Sequence, residues 1–96
     1  MMILSDLCDV KTNFPDADFW LIRKGTKEKV GIPTKEYSPE YIGIKVTDTE
    51  RILPQYLFYW FQYIHTKKFF EQHSLGTLKL VHIRTEFVKN LPVDFR

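Results

Sequence analysis

The sequence predicts an α+β fold: a small, mostly antiparallel or mixed sheet curled around one long helix. Three observations carry this expectation. Residues 40–46 alternate apolar and polar side chains, Pro54 opens a run with no helix breaker to about residue 73, and residues 18–32 read as a hairpin. A chain of 96 residues is expected to be a single domain, 1–96, near the lower end of what buries its own core.

Taken in order, Ser5-Asp6-Leu7-Cys8 suits one short helical turn, since Ser5 or Asp6 can accept hydrogen bonds from free amides. Residues 11–17, with Asn13, Pro15 and Asp16, read as a loop. Asp18-Phe19-Trp20-Leu21-Ile22-Arg23 is aromatic and β-branched enough for a strand. Lys24-Gly25-Thr26-Lys27 then turns the chain, with Gly25 taking the unusual backbone angles, and Lys29-Val30-Gly31-Ile32 returns it. Residues 33–39 form a further connection. The next strand places Ile42, Ile44 and Val46 on one face and Tyr41, Gly43 and Lys45 on the other.

Pro54 fits a first helical position, where its missing amide hydrogen costs nothing. Leu57, Trp60, Phe61 and Ile64 then fall at i, i+3, i+4 and i+7, a core-facing stripe. Tyr56, Tyr59 and Tyr63 make a second stripe, expected either to be covered by the sheet or to meet a partner chain or bases. Gly76 ends the helical region, Leu78-Lys79-Leu80-Val81 suggests an edge strand, and Thr85-Glu86-Phe87-Val88 a last helical turn.

Composition excludes several classes of function. The single cysteine, Cys8, rules out an internal disulfide and a cysteine-based zinc site, and points to a cytoplasmic setting. No stretch resembles a signal peptide or a membrane span. His65, His73 and His82 lie eight and nine residues apart without carboxylates at ligand spacing, so they read as solvated or hydrogen-bonded histidines and no metal is expected. Pro15-Asp16 is not followed by the acidic-x-lysine element of a metal-dependent nuclease, and no nucleophile–base pair can be named. An enzyme is therefore not expected, nor a cofactor.

Charge favours binding instead. Net charge is +2, but residues 1–50 carry seven Lys/Arg against nine Asp/Glu and residues 51–96 seven against three. Two polar-basic clusters follow: Arg23, Lys24, Thr26, Lys27 and Lys29 at the hairpin tip, and Thr77, Lys79, His82 and Arg84 after the helix. Such groups suit phosphate contact and groove reading.

These pieces, in this order, resemble the target recognition domain of type I restriction-modification specificity subunits, in a shortened single-domain form. The resemblance rests on Ile3-Leu4-Ser5-Asp6-Leu7-Cys8-Asp9-Val10, on Leu21-Ile22-Arg23-Lys24-Gly25 with Lys29-Val30-Gly31-Ile32, and on Ile52-Leu53-Pro54-Gln55-Tyr56-Leu57-Phe58-Tyr59. It closes with Leu75-Gly76-Thr77 and the exit Val88-Lys89-Asn90-Leu91-Pro92-Val93. What the resemblance implies is a DNA-binding module that contacts double-stranded DNA through both basic clusters. The small contact area of one such domain makes a homodimer, or a larger complex with restriction or methyltransferase subunits, the further expectation, with Tyr56, Tyr59 and Tyr63 as the partner surface. The alternative expectation is a protein-interaction module that modulates such a complex, in which Asp6, Asp9, Asp16 and Asp18 matter more than the lysines.

Overall fold

The computed structural model describes residues 2–76 and 80–93. It is an α+β arrangement of short antiparallel sheets and three helices. In chain order the strands are β1 (Met2–Ile3), β2 (Cys8–Lys11), β3 (Phe19–Leu21), β4 (Lys24–Gly25), β5 (Pro33–Thr34), β6 (Ile42–Val46), β7 (Leu75–Gly76), β8 (Val81–His82) and β9 (Pro92–Val93). The helices are α1 (Pro54–Thr66), α2 (Phe69–His73) and α3 (Thr85–Lys89), with a 3-10 turn at Leu4–Asp6.

The central sheet has the order β2-β6-β3-β5. Its middle strand, β6, keeps the alternation read in the sequence: Ile42, Ile44 and Val46 are buried and Lys45 is exposed. Gly43 is buried on the opposite face because the Phe14 and Ala17 side chains lie directly over it, where a Cβ would meet Phe14 Cβ at 2.7 Å. Asp18 fixes the strand edge, its carboxylate accepting a hydrogen bond from the Val46 amide at 2.8 Å. Asp6 likewise accepts from the Ile3 amide at 2.9 Å, ordering the opening turn. Both carboxylates are therefore engaged by backbone.

Pro54 begins α1 as expected, and Leu57 and Phe61 are fully buried against the central sheet, with Trp60 and Ile64 half-buried beside them. Phe19 receives the edges of Phe58 and Phe61 at centroid distances of 5.4 and 5.8 Å. Burial of three such rings removes several hundred Å² of apolar surface from water, roughly 25 cal/mol per Å².

Two expectations are corrected here. The long helix is two helices: α1 ends at Thr66, Lys68 takes the left-handed conformation at φ 62°, and α2 restarts at Phe69. The reason is geometric. In one continuous helix Phe70 would sit about 180° around and about 13 Å along from Phe61, facing away from the core. The break brings the two rings into a stacked contact at 6.2 Å and buries Phe70 completely. Nor does the sheet wrap the helix. Tyr56, Tyr59 and Tyr63 are 59, 56 and 58% exposed, so the sheet does not cover this face of α1.

The hairpin is also rearranged. The return strand is β5 rather than residues 29–32, pairing Trp20 with Thr34 and Leu21 with Pro33. Residues 26–30 instead close a helical turn, the Lys29 and Val30 amides donating to the Thr26 carbonyl. Gly31, at φ 84°, makes the reversal, and its amide donates to the Ile22 carbonyl at 2.8 Å. The edge strand expected at residues 78–81 is described only from Leu80 onward, where β8 spans Val81–His82.

Candidate nucleic-acid interface

Two of the residues singled out from the sequence, Lys24 and His82, lie on a second, three-stranded sheet of order β4-β8-β7. Its register sets Lys24 opposite His82 and Gly25 opposite Val81 on one side, and Leu75 opposite His82 and Gly76 opposite Val81 on the other. Residues directly opposite in an antiparallel pair share a face of the sheet. Lys24, His82 and Leu75 thus form one row, and Gly25, Val81 and Gly76 the row behind it. Val81 is buried, so its row faces the core; Lys24 and Leu75 are exposed and His82 half-buried, so theirs faces outward. The sequence reading kept the hairpin tip and the segment after the helix as two separate clusters. Backbone pairing makes them neighbours.

Around this row the remaining residues fall into three situations. Lys27 and Lys29 are exposed on the 26–30 turn, as is Thr26, whose backbone carbonyl closes the turn. That turn is anchored to α1 by His65, whose Nε2 donates to the Glu28 carbonyl at 2.8 Å. It is also anchored to α2, because Gly31 lies flush against the Phe70 ring. Arg23 is engaged differently: its Nε donates to the Glu40 carbonyl at 2.9 Å, and its own carbonyl accepts from the Ile83 amide at 3.0 Å. It is half-buried and ties β4 to the neighbouring connection and to the segment after β8. Arg84 stands exposed at the start of α3 and has no ion-pair partner among the described residues. Thr77 and Lys79, the other two residues singled out from the sequence, lie outside the described residues.

Past Leu75 the outward row opens into a cleft of about 660 Å³ that sequence reading missed. Its walls include Phe69, His73 and Phe87. Phe87 stacks with Phe69 at 5.8 Å and with His73 at 5.3 Å, while Phe69 and His73 approach to 4.7 Å. The signal available in the sequence was the i, i+4 spacing of Phe69 and His73, which puts both rings on one face of α2. Their partner Phe87 is local to neither, and only the fold supplies it.

No group of His, Cys, Asp and Glu among the described residues is placed to hold a metal ion. Among the same residues, no helix is long and apolar enough to cross a membrane. Cys8, the lone thiol, is buried in β2 of the central sheet, and burial, with smaller contributions from the Asp18 and Asp9 charges, pushes it up to about 12. A thiol so disposed is a poor nucleophile, because the reactive species is the thiolate. No protein-family model, curated protein or solved structure matches the chain.

Proposed function

We propose that the chain is a non-enzymatic DNA-binding module, built like a type I specificity-subunit recognition domain, that meets duplex DNA with the β4-β8-β7 sheet. The observation that supports this reading is the pairing of Lys24 with His82, which merges the two basic segments into one outward surface. Lys24, Lys27, Lys29 and Arg84 supply mobile cations for phosphates, and displacement of counterions gives the affinity. Thr26 and His82 add further hydrogen-bonding groups. Thr77 and Lys79 belong to the same basic segment of the sequence and are assigned to the contact by residue type alone. Arg23 acts one step back, holding β4 in place through its bond to the Glu40 carbonyl. A surface of this size covers roughly 600–1,000 Å², enough for a few base pairs.

The test is charge reversal. The double variant Lys24→Glu/Lys27→Glu alters two exposed side chains and is expected to keep the fold while losing at least about tenfold in affinity for a random duplex at low salt. Unchanged affinity in a folded variant contradicts the proposal.

A second reading draws on a different observation, the solvent-facing tyrosines of α1. That face carries no Lys, Arg, Asp or Glu from Pro54 to Thr66, and Leu53 before it is 62% exposed. An aromatic surface with a single cation at its end, Lys67 over the Tyr63 ring at 5.5 Å, suits a protein partner, whether a restriction or methyltransferase subunit or a second copy of the chain. Under this reading Tyr59→Glu abolishes partner binding and leaves duplex binding intact.

A further inference from the structure

The cleft beside the basic row has the features of a binding site for a planar ring bearing an anionic group. Its walls are mostly apolar, with Phe69, Phe87, Leu91 and Pro92 contributing, and the His73 side chain is exposed at its edge. Its volume of about 660 Å³ lies within the range of small-ligand pockets, roughly 300–1,000 Å³. Besides His73, three polar side chains among the described residues line it. Arg84 is a cation with no carboxylate partner among the described residues. Asn90 donates through Nδ2 to the Glu86 carbonyl at 2.9 Å, which orients its amide and keeps its Oδ1 as an acceptor. Glu86, the one anion among the described lining residues, is paired with Lys89 at 3.4 Å, so its charge is offset. Aromatic rings that stack any base, a guanidinium for phosphate, and a fixed amide for a base edge are the elements by which proteins hold unstacked nucleotides.

Position strengthens the argument. Leu75 belongs both to the outward row of the β4-β8-β7 sheet and to the wall of the cleft, so a strand lying along Lys24 and His82 runs into it. We propose that the cleft takes a single unstacked nucleobase of the bound DNA, its ring against Phe87 and His73 and its phosphate against Arg84. This inference rests on the DNA-binding reading and goes beyond it, because a purely groove-bound domain needs no such pocket.

The experiment uses two duplexes of the same sequence, one fully paired and one carrying a single bulged 2-aminopurine, with affinity read by anisotropy and stacking by 2-aminopurine emission. An unpaired base is already out of the stack, so the bulged duplex is expected to bind at least about fivefold more tightly, with its emission quenched. His73→Ala, at an exposed position, and Phe87→Leu, which keeps apolar volume but loses the ring, are each expected to erase the preference and the quenching while retaining affinity for the paired duplex. Equal affinity for both duplexes without quenching overturns the base pocket alone and leaves the DNA-binding reading standing. A preference that survives both variants overturns this cleft as its location. Failure of the folded chain to bind either duplex overturns both.

Discussion

Gly31 carries more of the architecture than its size suggests. It sits at φ 84°, where side chains are strained, and a Cβ there would overlap the Phe70 ring. Both effects act together, so Gly31→Ala is expected to lower stability by about 2–4 kcal/mol, measurable as a fall in the urea midpoint. Cys8 makes a different prediction. Its proton is held in the folded state up to about 12, above the ordinary 9.0, so the folded chain binds that proton more tightly than the unfolded one. Stability from this source is complete below pH 9 and is lost as pH rises from 9.0 toward 12. Urea midpoints measured across that interval should decline more steeply for the native sequence than for Cys8→Ala. Parallel declines would show that the thiol is not what titrates. Arg23, read as a cation on a hairpin tip, also has a structural bond that residue type does not reveal, from its Nε to the Glu40 carbonyl.

At the scale of elements, the break between α1 and α2 is the feature least accessible to sequence. Lys67-Lys68 contains neither Gly nor Pro, and both are good helix formers. The helix stops there because Phe70 must reach the same core as Phe61, a demand set by tertiary packing rather than by local preference. The left-handed Lys68 is the cost, about 1 kcal/mol, and Lys68→Gly should recover up to about that much. A lower thermal midpoint for Lys68→Gly would mean that the lysine side chain contributes more than its backbone loses. Other elements were legible. The 40–46 alternation marks β6 because a strand with one buried face has period two, and Pro54 marks the start of α1 because only a first-turn position tolerates it. Strands of two residues, such as β4, β7 and β8, have no periodicity to read. Their existence depends on partners more than 50 residues away in the case of Lys24 and His82. The residues of the candidate surface were therefore visible as types, whereas the pairing of Lys24 with His82 was not.

At the scale of the whole molecule, the fold separates two surfaces. Paired ends, with β1 against β9 and the Leu4 amide donating to the Leu91 carbonyl, keep α3 packed on β2 and the opening turn. That fixes the segment holding Arg84 and Phe87 relative to the central sheet. The turn at 26–30 is pinned from the other side by His65 and Phe70. The β4-β8-β7 sheet lies between these anchors, while the tyrosine face of α1 carries none of the DNA-contact residues. Substitutions at Tyr59 and at Lys24 are accordingly expected to act independently, with additive effects in the double variant, since they share no partner.

The central claim is that this sheet holds DNA through phosphate contacts, and fluorescence anisotropy on a randomised duplex tests it most directly. The chain is titrated at about 50 and about 200 mM salt. With some four cations placed on phosphates, affinity should fall roughly a hundredfold between the two conditions. Folded protein that binds at neither salt concentration, or whose affinity does not change with salt, would contradict it.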